Sequence, residues 1–306
     1  MKQRTAALAC SALCLALATV CAPAADRQSP SDPIKVGMPK SIFVDVPSVF
    51  VQIIAPSFNA LTEESTGLNA HMVVGGDCFE LCKKLERNEV QLTCLQGIEY
   101  AWVHEKHPDI VPLMVAIYRH HQLKANLVVR KDSGVSGFGD LRGKDLAYPK
   151  KSKEHCRLFL DRHCDECGQC APTAFFSQVT RPATMEGALD DVCGGRSAAC
   201  IVDAETLEYY QSLKPGCWAR LRVVQQSESF PPAVICYRKG VLSEETLAKF
   251  RNGMISANKN EKNRDLMAVF MITSFEPLPT DYVQTVGDIL KTYPSPEPGA
   301  KLSRKN

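Results

Sequence analysis

The sequence predicts a two-lobed α/β fold, in which two strands cross between the lobes. Short apolar runs alternate with segments that carry apolar residues at helical spacing, which is typical of a mostly parallel sheet flanked by helices. The alternation forms two blocks of similar layout within 306 residues. Two further strands, near 121–131 and 232–239, stand at the borders of these blocks. A chain that crosses over and returns in this way gives two lobes joined by two strands.

The first 25 residues predict a cleaved secretory signal. Lys2 and Arg4 form a short basic region, and residues 6–20 form an apolar core that is short for a membrane span. Ala22-Pro23-Ala24 has the small-x-small form of a signal peptidase site. A retained anchor is the alternative. The signal predicts a mature protein that is exported, to the periplasm or otherwise, and soluble.

The composition of the mature chain indicates which classes of partner are not expected and in which state its cysteines are expected. Two of the 36 basic residues leave with the signal, so 34 basic residues face 34 acidic ones. A neutral chain argues against a nucleic-acid or membrane partner that is recruited by bulk charge. Three of the 14 cysteines also lie in the signal, and 11 remain. Export favours disulfides, and the odd number leaves at least one thiol unpaired, ligated or in an intermolecular bond.

The first block begins after a polar linker. Its predicted elements, in order, are a strand over "IKVGMP", a helix over 48–61 that Pro56 makes less certain, a strand over "NAHMVVGG", a helix over 78–87, a strand over "EVQLTCLQG", a helix over "GIEYAWVHEKH" and a strand over "IVPLMVAIY".

The second block follows the strand at 121–131 and a glycine-rich loop. Its predicted elements are a strand over "DLAYP", a helix from about residue 153, a cysteine loop, a strand over "TAFFSQV", a helix over 185–192, a strand over "AACIVD", a helix over 204–213 and a strand over "ARLRVVQQS". After the strand at 232–239, three helices close the chain. Ser243 is expected to cap the first, the second covers about 264–272, and Thr280 is expected to cap the third, with Val283, Val286, Ile289 and Leu290 facing inward.

These elements predict the division of the chain. Residues 34–125 and 235–293 form lobe 1, residues 126–234 form lobe 2, and residues 294–306 form a flexible tail. The ligand site of such a fold is expected in the cleft, which the carboxyl ends of strands and the N-termini of helices face.

Three stretches have the layout of a known protein family. The first is "LVVRKDSGVSGFGDLRGKDLAYP", the second is "ALDDVCGGRSAACIVDAETLEYY", and the third is "CFELCKKLERNEVQLTCLQGIEYAW". In these stretches the chain resembles the phosphate, phosphite and phosphonate substrate-binding proteins of ABC transporters. The resemblance implies a type 2 periplasmic-binding-protein fold, a small-molecule ligand and a membrane permease as partner.

Two departures from the family pattern concern specificity. Gln91 stands where the family has an acid after Glu-Val. After "DLAYP", members of the family often show a Ser-Thr-Ser-like run that holds an oxyanion, whereas this chain has "KKSKEH".

Ser152 lies where a helix is predicted to begin, and helix N-termini bind anions through unpaired N–H groups and a positive dipole end. Lys150, Lys151 and Lys153 add positive charge. Glu154 would repel an anion, but it could pair with the amino group of a zwitterion. We therefore expect a small anion or zwitterion at this position. The alternative is that Ser152 is an ordinary helix cap and that the lysines form a solvated face.

Other strand-to-helix turns face the same predicted cleft, and the family resemblance implies that such turns line it. For each of their residues, an ordinary cap, a surface polar group or a packed aromatic ring is an equally good interpretation. The remaining candidates are Lys40, Ser41, Gln96, Tyr100, Thr184 and Asp203.

The stretch "HCRLFLDRHCDECGQC" contains Cys156, Cys164, Cys167 and Cys170. The spacing lacks the last part of a ferredoxin motif and the histidine of a haem attachment motif. These four cysteines could ligate zinc, with His155 or His163, as an alternative to disulfides. Further candidate disulfide pairs are Cys193 with Cys200 and Cys78 with Cys82, although sequence does not give connectivity.

The sequence thus predicts a solute-binding protein that is not an enzyme, that needs no cofactor and that is monomeric. It has no nucleophile elbow, zincin motif, P-loop or dinucleotide fingerprint. The alternatives are a metal or redox protein built around the cysteines on the same fold, and a ligand sensor that acts in trans on a membrane receptor.

Overall fold

Two separate sheets form the framework of the computed structural model, which describes residues 33–43, 48–168 and 171–296. The predicted signal at 1–25, Cys170 and most of the predicted tail lie outside these residues. The strands are β1 (Ile34–Met38), β2 (Ala70–Val74), β3 (Leu92–Leu95), β4 (Ile110–Ile117), β5 (Ala125–Arg130), β6 (Asp145–Ala147), β7 (Gln178–Thr180), β8 (Ala199–Asp203), β9 (Leu221–Gln226), β10 (Ala233–Arg238) and β11 (Ser274–Glu276).

Eleven helices flank these strands in the described part of the chain. They are α1 (Ser48–Thr66), α2 (Cys78–Glu86), α3 (Gly97–Lys106), α4 (Glu154–Glu166), α5 (Pro172–Phe175), α6 (Met185–Cys193), α7 (Ala204–Leu213), α8 (Pro215–Trp218), α9 (Glu244–Ser256), α10 (Glu261–Val269) and α11 (Tyr282–Thr292). Pro56 lies inside α1 without ending it. None of the described helices is long and apolar enough to cross a membrane.

The first sheet has the strand order β11-β4-β10-β3-β1-β2, and the second has the order β7-β6-β8-β5-β9. Lobe 1 is the name used here for the first sheet with its helices, and lobe 2 for the second. The chain leaves lobe 1 between β4 and β5 and returns between β9 and β10. The predicted two-lobed α/β fold is confirmed.

Both sheets are mixed, so the prediction of mostly parallel sheets overstates the parallel share. Parallel pairing joins β1 to β2 and β3 in lobe 1, and β6 to β7 and β8 in lobe 2. The crossover strand β10 runs antiparallel to β3 and β4, and β5 runs antiparallel to β8 and β9. Each crossover strand enters its sheet directly from the other lobe, with no helix to reverse its direction.

Apolar side chains cover both faces of each sheet, which makes each lobe a three-layer structure. In lobe 1, α2, α3 and α11 pack on one face and α1, α9 and α10 on the other. In lobe 2, α4 and α5 pack on one face and α6 and α7 on the other. Each fully buried large apolar side chain contributes about 1.5–3 kcal/mol, so these layers fix where the strand ends and helix starts lie.

Two glycines lie where a side chain would meet backbone. A Cβ atom on Gly253 of α9 would lie 2.4 Å from the carbonyl oxygen of Ser65 in α1. A Cβ atom on Gly97, the first residue of α3, would lie 2.3 Å from the carbonyl oxygen of Pro231. Gly253 therefore sets the approach of α9 to α1, and Gly97 sets the approach of α3 to the segment that returns from lobe 2.

Three local predictions are wrong. The segment "TAFFSQV" forms the short helix α5 followed by β7 rather than one strand, since Pro172 favours a helical first turn. Asp281, not Thr280, precedes α11. Val283 is 68% exposed, because the buried stripe of α11 runs through Tyr282, Val286 and Ile289 instead.

Candidate ligand-binding site

In lobe 1, Ser41 and Gln96, which the sequence predicts for the site, both donate hydrogen bonds to Glu99. The hydroxyl of Ser41, in a 3-10 turn after β1, donates a hydrogen bond to Glu99 Oε1 at 2.6 Å. The backbone N–H of Gln96, at the end of β3, donates to Glu99 Oε2 at 3.0 Å. Glu99 belongs to the first turn of α3, so its carboxylate lies beside the N-terminus of that helix. Ser41 and Gln96 thus hold one acid from both sides.

Glu99 is only 3% exposed, and its environment makes it a weak acid. Burial raises its pKa to about 7, against the opposing effect of the hydrogen bonds from Ser41 and Gln96. The negative charges of Glu154 and Asp77 raise it further. Since Glu154 begins α4, the first turn of that lobe 2 helix lies near enough to act on an acid of lobe 1.

In lobe 2, an ion-pair group joins the starts of two helices. The ammonium of Lys153, which precedes α4, lies 3.0 Å from Asp203 Oδ2 and 3.0 Å from Glu205 Oε2. The other oxygen of Asp203 accepts the backbone N–H of Thr206 at 2.7 Å and so caps α7. Lys153 and Asp203 were both predicted for the site, and the structure brings them together.

The charges within this group compensate one another. Burial acts to raise the pKa of Asp203, but Lys153 and the Thr206 N–H hold that pKa below its usual range. Burial acts to lower the pKa of Lys153, and the charges of Asp203 and Glu205 raise it instead. Arg119 Nε also lies 4.0 Å from Glu205 Oε1, so two cations face two carboxylates and the group is neutral overall. Lys153 therefore does not supply the free positive charge that the sequence suggested.

Two buried polar atoms at the start of α4, Ser152 Oγ and His155 Nε2, lack a hydrogen-bond partner among the described residues. The hydroxyl of Ser152 lies beside the Tyr148 phenol, with the residue 9% exposed. His155 is 4% exposed, and its Nε2 atom is unpaired. Buried polar groups are nearly always hydrogen-bonded, so a polar ligand or water would have two groups to satisfy here.

His155 also connects α4 to the segment that returns to lobe 1. Its ring lies 5.7 Å from that of Phe230, measured between centroids. Burial lowers the pKa of His155 to about 4, although the charge of Asp203 opposes the shift. The imidazole is therefore neutral at physiological pH and offers a hydrogen bond without charge.

Tyr100 and Lys40 lie outside this group. Tyr100 is 2% exposed within the core of lobe 1, and its ring stacks on that of His104 with the centroids 5.3 Å apart. It is therefore a packed aromatic residue, which was the alternative interpretation. Lys40 is exposed and lines a separate cavity of 440 Å³, whose other lining residues are Phe43, Val51, Gln52, Ala55, Met72 and Val74.

Thr184 and Lys150 have local structural roles. The Thr184 hydroxyl accepts the backbone N–H of Gly187 at 3.0 Å and caps α6. Lys150 is exposed, and its backbone N–H donates to the carbonyl of Pro182 at 2.9 Å. Both interactions match the plain cap and surface positions that the sequence left open.

The ten cysteines of the described chain all carry free thiols, so the proposed pairings remain predictions. Cys78 and Cys82 lie four residues apart on α2, and both point into the core. Cys156 and Cys164 are buried on α4. Within the described ranges, one group of side chains has the spacing of a metal site, since the ligand atoms of Cys82, Glu86 and His107 all lie within 4.8 Å of one another. This group includes no cysteine of the "HCRLFLDRHCDECGQC" stretch.

Two residues of the candidate site were missed, Glu99 and Glu205. Glu154 was considered as a partner for the amino group of a zwitterion, and His155 was considered only as a metal ligand. A partial signal existed for Glu99, because an acid three residues after a strand-ending polar residue is typical of a helix start. Glu205 likewise lies in the first turn after Asp203. No sequence signal distinguishes His155, since its burial depends on contact with Phe230, 75 positions away.

The chain matches a known protein family over most of its length. The family model for the periplasmic substrate-binding protein of phosphonate ABC transporters matches residues 45–282. No curated protein matches the chain.

Several solved structures share the fold. A Xanthomonas citri protein bound to ATP has 15% identity and a TM-score of 0.60, with 86% of this chain and 97% of that one covered. PhnD1 of Prochlorococcus marinus in complex with methylphosphonate has 11% identity and a TM-score of 0.55, with coverage of 85% and 98%. The binding-protein component of a Pseudomonas aeruginosa phosphonate ABC transporter has 14% identity and a TM-score of 0.54, with coverage of 85% and 87%.

Proposed function

The chain belongs to the family of periplasmic substrate-binding proteins of phosphonate ABC transporters, and from this premise we propose that it captures a small zwitterionic phosphonate between its lobes. Family membership establishes a solute-binding role and implies export. Of the anionic and zwitterionic ligands that the sequence suggests, the zwitterion is favoured by the Glu99 carboxyl, because Glu154, Asp203 and Glu205 are already paired with cations. The observation that carries the proposal is the combination of unpaired buried polar groups at the start of α4 with the Glu99 carboxyl opposite.

The oxyanion end of the ligand would bind at the N-terminus of α4. The first backbone N–H groups of a helix have no partner within the helix, and they point toward the positive dipole end. The Ser152 hydroxyl adds a donor at the same place. His155 donates its one N–H to the Lys124 carbonyl, so its Nε2 would accept a hydrogen bond from a protonated phosphonate oxygen or from a water. This arrangement binds phosphonate oxygens without a free lysine, since Lys153 is paired to Asp203 and Glu205.

The amino end of the ligand would bind Glu99. Each Glu99 oxygen accepts one hydrogen bond, from Ser41 or from Gln96, and a carboxylate oxygen has a further lone pair for an ammonium. Because the pKa of Glu99 is about 7, an arriving ammonium would also draw the carboxyl into its ionised form. A fully anionic ligand would gain nothing from this group and would be repelled by it.

The wider role follows from the family. We propose that the ligand closes the two lobes about the crossover strands β5 and β10, and that the closed form docks on the membrane permease of an ABC transporter. The protein would act as an exported monomer whose signal ends near residue 25, and it would bind without catalysis. The neighbours bound to methylphosphonate and to ATP make phosphorus oxyanions the first ligands to test.

The test is titration calorimetry with a panel of ligands. The panel comprises 2-aminoethylphosphonate, methylphosphonate, inorganic phosphate, sulfate, ATP and the common amino acids. We expect the aminophosphonate to bind most tightly. Binding of none of these ligands, or equal binding of the two phosphonates, would contradict the proposal.

Two variants divide the recognition into its two ends. Ser152→Ala removes one donor and is expected to weaken both phosphonates about tenfold, since a hydrogen bond to a charged group contributes about 1.5 kcal/mol. Glu99→Gln is expected to weaken the aminophosphonate at least tenfold and to tighten methylphosphonate binding, because the variant removes the carboxylate that repels an anion. Ser133→Ala, in an exposed turn of lobe 2, is the matched control and should change neither affinity.

A further inference from the structure

Two cysteines of lobe 2 that are 24 positions apart lie side by side in the structure. Cys193 is the last residue of α6, and Cys217 lies within the short helix α8. The Cys193 thiol lies 3.9 Å from the backbone carbonyl oxygen of Cys217 and donates to it. Both side chains belong to the apolar layer on the same face of the second sheet.

The surroundings of Cys217 place its sulfur close to Cys193. Burial raises the pKa of Cys193, and the adjacent Cys217 thiol raises it further through a hydrogen bond and through its charge. The Tyr210 hydroxyl, which donates to Asp190 at 2.8 Å, also lies beside the Cys217 sulfur. The two sulfurs therefore share one small space under α6, α7 and α8.

The sequence paired Cys193 with Cys200, and the structure favours a different partner. Cys200 lies inside the central strand β8, opposite Val128 and close to Ala147 in the neighbouring strands. Burial, together with the charge of Asp191, raises its pKa, and no cysteine contributes to that shift. Cys193 instead contacts Cys217 of α8.

We propose that Cys193 and Cys217 are joined by a disulfide in the exported protein. Two S–H bonds are broken and one S–S bond forms, and the two electrons and two protons pass to a protein disulfide of the export compartment, which becomes a dithiol. Cys217 is partly exposed, so the oxidant can reach it and form a mixed disulfide with it. Cys193 is 3% exposed, and its thiol then attacks the Cys217 sulfur and releases the oxidant as a dithiol. The proposal rests on the export that family membership implies, and it is independent of the ligand.

The bond would join the end of α6 to the turn that carries the chain from α7 into β9. Because Asp203 caps α7, this helix lies next to the ion-pair group of the candidate site. A crosslink that closes a loop of this size removes conformational freedom from the unfolded chain and stabilises the folded lobe. The disulfide thus braces the part of lobe 2 on which the ligand would rest.

The test begins with the full chain, exported by a bacterial host and denatured without reductant after its free thiols have been blocked. Trypsin alone leaves the cysteines mixed on long peptides, because Arg181 and Lys214 are each followed by proline. Digestion with trypsin and with a protease that cleaves after glutamate places each of these cysteines on its own peptide. Cys193 lies on residues 187–196, Cys200 on residues 197–205 and Cys217 on residues 209–220.

Mass spectrometry of this digest is expected to show 187–196 joined to 209–220, with the linkage lost on reduction. Blocked thiols on either peptide, or a linkage of either one to another cysteine peptide, would overturn the proposal. A calorimetric failure of every phosphonate would leave this result unaffected, so the two proposals fail separately.

Variants test the energetic consequence. Cys217→Ser and the double variant Cys193→Ser with Cys217→Ser are expected to melt at the same reduced temperature, and dithiothreitol should lower the melting temperature of the parent protein but not of the double variant. Cys236→Ser, a buried cysteine of lobe 1, is the control, and it should retain the effect of the reductant. A double variant that responds to dithiothreitol as the parent does would contradict the assignment.

Discussion

Glu99 is the residue at which the two lobes act on each other electrostatically. Its carboxyl belongs to lobe 1, and the charge of Glu154 from lobe 2 adds to the burial that raises its pKa to about 7. The folded protein therefore holds a proton on Glu99 over a pH range in which the unfolded chain, with a glutamate pKa of about 4.3, does not.

This difference predicts how stability depends on pH. Between about pH 4.5 and 7 the folded state binds more protons than the unfolded state, so the free energy of unfolding falls as the pH rises. The contribution of Glu99 amounts to roughly 3 kcal/mol across that window. Glu99→Gln should remove it. Urea unfolding at pH 5 and pH 8 is expected to show a smaller loss of stability for the variant than for the parent.

The matched control is Glu105→Gln, an exposed glutamate on the same helix α3. It should follow the parent at both pH values, because its side chain is exposed and the substitution removes no buried group. A Glu99→Gln variant with the parent's pH dependence would show that Glu99 titrates normally.

Lys153 carries the second prediction at the scale of a residue. Lys153→Met should destabilise the protein by about 2 kcal/mol, since it leaves Asp203 buried without a partner charge, while the partial exposure of Lys153 limits the loss. Adding Asp203→Asn should restore much of the stability, because asparagine caps a helix without charge. Urea unfolding at pH 7 measures both. A double variant that is less stable than the single one would contradict the ion-pair argument.

The sequence predicted part of this site, because strand ends and helix starts can be read from local patterns. Ser41, Gln96 and Asp203 were predicted in this way, and each takes part in the hydrogen bonds described here, while their contact with a ligand remains a prediction. The pairing of Lys153 with Asp203 was not predicted, since it depends on how α4 and α7 pack. The burial of Tyr100 was not predicted either, because a strand-to-helix turn presents side chains to the cleft and to the core alike.

At the scale of the element, helix packing depends on single glycines. Gly253→Ala should destabilise the protein by about 1–3 kcal/mol, because the new methyl group meets the backbone of α1 and the two helices must separate. Gly287→Ala, on the exposed face of α11, meets nothing and should stabilise by up to about 1 kcal/mol through helix propensity. Thermal unfolding of the two variants should shift in opposite directions.

The elements themselves were largely predictable, and the exceptions have physical reasons. Continuous apolar runs such as "IVPLMVAIY" and "PAVICYRK" are strands in the structure because they are buried on both faces. The direction of β10 was not predicted, since apolar periodicity does not distinguish parallel from antiparallel pairing. The segment that forms α5 and β7 has too few residues for a period to develop, and a proline decided its local structure.

At the scale of the whole molecule, contacts across the lobe boundary are numerous on one side of α4. Arg162 pairs with Glu228 at 2.5 Å and lies over the ring of Tyr293, 5.5 Å from its centroid. The Tyr293 hydroxyl also donates to Glu228 at 2.8 Å. This helix thus contacts the returning segment and the end of α11, while its first turn lies at the candidate site.

A ligand held between the lobes should therefore stabilise the whole molecule. At a free concentration of 100 times its dissociation constant, a ligand that binds only the folded state adds about 2.7 kcal/mol to the free energy of unfolding. We expect 2-aminoethylphosphonate to raise the melting temperature as one transition that includes both lobes, and to reduce the radius of gyration in solution scattering. Stabilisation of one lobe alone, seen as two separate transitions, would contradict a site between them.

The strand order of the first sheet has a consequence for how the chain reaches its native state. Strand β10 lies between β3 and β4, so those two strands have no hydrogen-bonded contact until the residues of β10 are present. The second sheet, in contrast, is complete once β9 has been made. During synthesis the sheet of lobe 1 cannot be completed before residues 233–238 have been made, whereas the sheet of lobe 2 can be completed once residue 226 has been made. The first sheet therefore stays divided between β3 and β4 until residues 233–238 have been made, so β4 has no partner on that side while residues 118–238 are being made.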